Sequence, residues 1–187
     1  TKVADFEGRQ NPLETDWNIH FGSGTVQVVK ASALRPAGGM TVEGIAVGTN
    51  QDNAFLSVKA ESHRGIVLTY PKDAIGRVSN KPYFLANVKA VGEFKLILKV
   101  HTKDDREYYL AYLPDTDLQQ AVPSGNYIYV PLHARFGEEG LPSGEWMQIQ
   151  ANIEQDLRNN QLDYAYTSWI SFHGKEFSLD NVRFSTA

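Results

Sequence analysis

Apolar and polar residues alternate one by one along most of this chain, and the 3.6-residue spacing of a long helix is nearly absent. That period predicts strands near Val3–Phe6, Thr25–Ala31, Thr41–Val47, Ala54–Ala60 and Gly65–Tyr70. It predicts others near Tyr83–Val91, Phe94–His101, Glu107–Leu113, Asn126–Leu132, Glu145–Ile153, Tyr166–His173 and Phe177–Phe184. Turn chemistry separates them: Gly38-Gly39, Thr49 to Asn53, Pro71-Lys72-Asp73 and Pro123-Ser124-Gly125-Asn126. Lys103-Asp104-Asp105-Arg106 reads as a hairpin tip, and Ile153–Asn160 as one short helical turn beside the sheets. A dozen short strands with turns between them predict an all-β sandwich or barrel, and no repeat or linker divides residues 1–187 into more than one domain.

Composition narrows the functional classes. The chain has 187 residues, 42% of them hydrophobic and 21% charged, which is a globular balance. A net charge of −4 argues against a general nucleic-acid or membrane-surface role. The absence of cysteine removes disulfides, thiolate metal sites and a cysteine nucleophile. The chain opens at Thr1 with no Met, basic n-region or apolar leader, which reads as a mature or excised fragment whose targeting segment, if any, is missing. Nine Tyr, nine Phe and three Trp supply rigid aromatic area suited to strands and to recognition surfaces.

Two end motifs add a family resemblance. Near the start stands Asp5-Phe6-Glu7-Gly8, followed by Trp17; at the end stands Phe177-Ser178-Leu179-Asp180-Asn181-Val182-Arg183-Phe184. Gly144-Glu145-Trp146-Met147-Gln148-Ile149, leading into Gln155-Asp156-Leu157, is a third such segment. In this order and spacing they resemble the jelly-roll carbohydrate-binding modules attached to polysaccharide-degrading enzymes. The resemblance covers the two ends and the Trp146 strand. It implies a β-sandwich jelly roll of two antiparallel sheets with adjacent terminal strands, an attached glycoside hydrolase or lyase in a secreted or extracellular setting (periplasmic and cell-surface included), and a structural calcium ion. Carried over residue by residue, the calcium ligands would include Glu7 and Asp180, helped by Asp5. Calcium takes six to eight hard oxygens, which acids on neighbouring terminal strands can supply in part. The plainer reading is a polar stretch at Asp180-Asn181 on a solvent-facing edge, with Glu7 capping a turn.

Strand faces locate a candidate ligand surface. From Tyr127 onward, Ile128, Val130, Leu132, Ala134 and Phe136 fall on one side, and Tyr127, Tyr129, His133 and Arg135 on the other. The same sorting turns Lys95, Lys99 and His101 outward on one strand, Trp146, Gln148 and Gln150 on a second, and Trp169, Ser171 and His173 on a third. If these faces share a sheet, they build a surface of Tyr, Trp, His, Gln, Lys and Arg. Pyranose C–H patches lie flat on such aromatic rings, and sugar hydroxyls need short polar partners around them. The basic side chains also suit carboxylated or sulfated sugars, because Arg pairs bidentately with such anions. Tyr127, Tyr129, Arg135 and Trp169 are the main ligand candidates; Tyr109 and Tyr112 stand behind them, because both faces of their strand read as apolar and alternation does not sort them. Outward aromatics also occur in sheets for propensity and cross-strand pairing alone.

The expected function is therefore noncatalytic polysaccharide binding that targets an attached enzyme. The alternative is a jelly-roll lyase cleaving an acidic glycan by β-elimination, with Tyr or His removing the proton beside a uronate whose charge Arg, Gln or His neutralises. The sequence lacks a Gly-x-Ser-x-Gly elbow, a phosphate loop, a dinucleotide fingerprint and the i, i+4 histidines of a zinc protease. Glu43, Glu107, Glu145 and Glu154 are available to a hydrolase, but nothing pairs them across a cleft. A plain protein-interaction domain is the third class, and it would show a broad apolar patch with an anchor pocket rather than a polar aromatic face.

Overall fold

A computed structural model describes residues 2–4, 13, 17–30, 40–42, 45–47, 54–71, 78–114, 118, 120–132 and 144–186. Among these are fourteen strands and one α-helix. The strands are β1 (Lys2–Ala4), β2 (Asn18–Phe21), β3 (Gly24–Lys30), β4 (Met40–Val42), β5 (Ile45–Val47), β6 (Ala54–Ala60), β7 (Ile66–Tyr70) and β8 (Val78–Ser79). They continue as β9 (Tyr83–Thr102), β10 (Glu107–Leu113), β11 (Val122–Ser124), β12 (Tyr127–Pro131) and β13 (Trp146–Asn152). The helix α1 (Ile153–Arg158) and β14 (Tyr164–Ser185) complete the set.

The architecture is the expected β-sandwich, and two very long strands make it. β9 and β14 pair antiparallel along nearly their whole length, with ladder irregularities at Gly174/Glu176 and Asp180/Arg183. Each passes from one sheet into the other. Residues 83–91 of β9 join β13 and residues 176–185 of β14, with β6, β3 and β1 beyond, as a first sheet. Residues 94–102 of β9 and 164–174 of β14 join β10, β12 and β11 on one side and β7 and β2 on the other, as a second sheet. All pairings are antiparallel except β10 with β12, which run parallel. β4 and β5 form a separate two-stranded ribbon.

Alternation explains why both sheets bury the same face of β9. Phe84, Ala86, Val88 and Ala90 enter the core in the first sheet, and Phe94, Leu96, Leu98 and Val100 in the second. Between them Val91, Gly92 and Glu93 are exposed, and Gly92 has φ of 81°, so the chain turns the corner where glycine tolerates it. On β14 the ladder irregularities shift the parity, so Ile170 and Phe172 face inward, then Phe177 and Leu179, then Val182 and Phe184. Contacts across the core close the sandwich: Phe84 lies 6.2 Å from Phe172 and Phe94 5.5 Å from Phe177, centroid to centroid. Each such buried apolar side chain contributes roughly 1.5–3 kcal/mol.

Several expectations change in detail. The strands expected at Tyr83–Val91 and Phe94–His101 are one, as are those at Tyr166–His173 and Phe177–Phe184. The strand expected at Thr41–Val47 is two, β4 and β5. The hairpin tip stands where expected, with Asp105 at φ of 64° and Arg106 Nε donating to Asp104 Oδ2 at 2.7 Å. Helix α1 is also as expected: Asn152 caps it by accepting from Gln155 N–H at 3.2 Å, while Ile153 and Leu157 anchor it to the core.

Candidate functional site

The outer face of the second sheet gathers aromatics in one row. Register places Tyr127 opposite Tyr109, Tyr109 opposite Lys99, and Lys99 opposite Trp169, so these four side chains stand side by side across β12, β10, β9 and β14. The rings are in contact. Tyr109 stacks on Tyr127 at 4.9 Å and Tyr127 on Tyr129 at 5.8 Å. Trp169 meets Tyr109 edge-on at 6.3 Å and His20 of β2 edge-on at 6.2 Å. All four large rings are half-buried, and the three tyrosine rings turn their faces toward one another.

Around this row the polar groups fall into two sets. At the hairpin end, His101 stacks on Tyr166 at 4.3 Å, and its Nε2 lies 3.1 Å from Ser168 Oγ. Glu107, opposite His101, lies 3.6 Å from Lys99 Nζ and 3.9 Å from His101 Nε2. Toward the corner of the sandwich the next row is Ala111, Ile97 and Ser171, and the row after it holds Leu113, Lys95 and His173. Ser171 Oγ and His173 Nε2 are buried and find no hydrogen-bond partner among the described residues. Burial, then the positive charges of Lys95 and His20, hold the His173 imidazole down to about 4.

The sequence-predicted residues are therefore only partly brought together. Tyr127, Tyr129, Lys99, His101, Trp169 and His173 share this face. His133 and Arg135 lie outside the described residues, as do Asp5 and Glu7. Gln148 and Gln150 do not belong to the face: β13 pairs with residues 83–89 of β9, which puts both glutamines on the outer side of the first sheet. The alternation of β13 shows which way they turn but not which sheet they enter. Trp146, expected outward with them, is only 4% exposed; it packs edge-on against Phe55 at 5.2 Å, with Lys89 Nζ 5.9 Å from its ring.

Alternation left Tyr109 and Tyr112 unsorted, and the structure separates them. Tyr109 is central to the aromatic row, whereas Tyr112 is buried in the core with its hydroxyl donating to Asp156 Oδ2 at 2.6 Å. His20 beside Trp169 escapes sequence reading because β2 has only four residues, too few to show a period.

Asp180, the described member of the expected calcium set, is buried on the outer side of the first sheet and accepts from Asn181 N–H at 2.9 Å. It stands opposite Asn87, whose buried carboxamide finds no partner among the described residues. Among the described residues no group of three or more His, Asp or Glu is placed to hold a metal ion.

No family model matches the chain, and no curated protein matches it. Among solved structures it is similar to the CBM22-2 xylan-binding domain from Paenibacillus barcinonensis Xyn10C, at TM-score 0.49 and 13% identity over 100% of this chain and 99% of that one. It is similar to the family 11 carbohydrate-binding module of the cellulosomal cellulase Lic26A-Cel5E of Clostridium thermocellum, at TM-score 0.48 and 10% identity over 100% of this chain and 94% of that one. It is also similar to the enzymatically active domain of bacteriophage CBA120 tailspike protein 4, at TM-score 0.48 and 8% identity over 98% of this chain, and it spans 21% of that chain's length.

Proposed function

We propose that the outer face of the second sheet binds a polysaccharide chain and that the protein acts as a noncatalytic carbohydrate-binding module, targeting an attached enzyme outside the cell. The supporting observation is the in-register row of Tyr127, Tyr109, Lys99 and Trp169. Mutually stacked rings form a rigid, partly dehydrated platform, on which sugar C–H patches lose water at little entropic cost.

A structural calcium ion is part of the same reading. The buried Asp180 carboxylate and the facing Asn87 carboxamide oxygen are hard donors of the type calcium takes, and Asp5 and Glu7 would complete the acid set. Such an ion would tie the terminal strands together and would not touch the ligand face.

Affinity electrophoresis and titration calorimetry against β-glucans, mannan, xylan, agarose, alginate and pectin test the function, run with and without a calcium chelator. Retention on one polymer with no unsaturated-uronate absorbance supports a binding module. Growing absorbance on a uronate polymer replaces it with the lyase, and retention on none replaces it with a protein partner. For calcium, the chelator is expected to lower Tm in the native chain and to leave Asp180→Asn unchanged. Equal Tm with and without chelator in the native chain removes the ion from the account.

A further inference from the structure

At the corner of the sandwich, below the aromatic row, lies an open cleft of about 270 Å³. It is built where β9 and β14 change sheets and where the β6–β7 turn crosses them. Among the described residues Arg64, Lys95, Lys175, His63 and His173 line it, against a single carboxylate, Glu93. Arg64, Glu93 and Lys175 are exposed. No described carboxylate forms an ion pair with Arg64, Lys95 or Lys175. Three cations against one carboxylate leave this concavity with excess positive charge among the described residues, which favours a bound anion.

We propose that this cleft is an anion subsite, taking the sulfate or carboxylate substituent of an acidic glycan whose sugar rings lie on the aromatic row. The proposal rests on the reading of that row as a glycan platform and names the class of polymer it takes. Geometry joins the two. Trp169 and His173 project from the same face of β14, four residues apart, as do Lys99 and Lys95 on β9, so the cleft lies about 13 Å along the strands from the row. Between them runs one further row, Tyr129, Ala111, Ile97 and Ser171, of which the last three are buried. Within the cleft, the buried Nε2 of His173 adds a polar atom with no partner among the described residues. The depressed proton affinity of that imidazole reports the same positive surroundings, since Lys95 and His20 contribute to it after burial. Arg64 offers a planar fork to a sulfate or carboxylate, and the lysines add point charges around it.

The test compares a sulfated galactan, the same galactan after desulfation, and polygalacturonate, titrated against the native chain and the Arg64→Gln/Lys175→Gln double variant. Both replaced side chains are exposed, so Tm is expected to hold. The native chain is expected to bind one acidic polymer more tightly than the neutral one, and which polymer does so tells sulfate from carboxylate. The double variant is expected to lose about tenfold or more for that acidic polymer, with its neutral binding unchanged and its salt dependence reduced. A native chain that binds the neutral galactan equally well, or a double variant that keeps full affinity for the acidic one, overturns the anion subsite while the aromatic platform stands. A native chain that binds none of the three polymers overturns both.

Discussion

Tyr109 and Tyr127 stand directly opposite each other on the parallel pair β10–β12, with ring centroids 4.9 Å apart and planes within 19°. Parallel pairing brings like-facing side chains into register, and Tyr129 continues the stack at 5.8 Å. Each ring therefore restricts its neighbour's rotamers, and the row is ordered with no ligand present.

Single truncations should be costly for binding and mild for folding. Tyr127→Ala and Trp169→Ala are each expected to weaken glycan binding about tenfold, equivalent to about 1.4 kcal/mol, with Tm little changed because both rings are half-buried on the outer face. The Tyr109/Tyr127 double variant should lose less than the sum of the singles, since either truncation already frees the other ring. Calorimetric Kd values for the four proteins check this. Strict additivity would show that the stack does not order the face.

The hydroxyl of Tyr112 tests the opposite wall. It is fully buried and donates to Asp156 at 2.6 Å, joining the second sheet to α1. Burial raises the Asp156 carboxyl above its ordinary value, opposed by the Tyr112 hydrogen bond. The folded state therefore holds that proton more tightly than the unfolded chain. This residue's contribution improves as pH falls through its folded value, and the burial penalty is complete above it. Tyr112→Phe leaves the carboxylate without its donor and is expected to cost about 1–3 kcal/mol at neutral pH. Asp156→Asn keeps an acceptor and removes the charge, so it is expected to cost less. Denaturant unfolding of the two variants decides the order.

Most of the strand positions and the inward-outward sorting were legible because period two is written in side chains. Ala54–Ala60 and Glu107–Leu113 stand at their expected bounds, and Lys99, Tyr127, Tyr129 and Trp169 turn outward as expected. Sheet membership was not legible, because it is set by pairing partners. Gln148 and Gln150 face outward like Trp169 yet lie on the other sheet, since β13 pairs with the first part of β9. The continuity of β9 through Gly92 was hidden for a related reason: a glycine at φ of 81° reads locally as a turn, although here it bends one strand between two sheets. The parallel β10–β12 pair, which builds the Tyr109–Tyr127 stack, likewise has no local signal.

Gly65 governs the shape of the basic cleft. It has φ of 80°, and a Cβ there would sit 2.8 Å from the carbonyl oxygen of Gly174 on β14. Both the backbone conformation and the close approach need glycine. Gly65→Ala is expected to cost about 2 kcal/mol or more and to push the β6–β7 turn away from β14. Its acidic-glycan binding should fall while its neutral binding survives. A variant with unchanged Tm would mean that the turn moves freely.

His173 gives the proton-linked check. Its imidazole, ordinarily near 6.5, is held to about 4 by burial and then by Lys95 and His20. Below pH 6.5 the unfolded chain takes up a proton that the folded chain refuses until about 4, so the unfolded state binds more protons across that window. The contribution of this residue to stability is therefore complete above pH 6.5 and is lost progressively as pH falls from 6.5 toward 4. Nuclear magnetic resonance of the ring should show no midpoint near 6.5, and His173→Gln should flatten the decline in Tm over the same window. Saturating the cleft with an acidic glycan adds negative charge beside the imidazole and should move the midpoint upward, whereas a neutral glycan on the aromatic row should leave it lower. A ring that titrates near 6.5 in the free protein would mean that solvent and counter-ions already reach Nε2, and the buried, positively framed cleft would have to be redrawn.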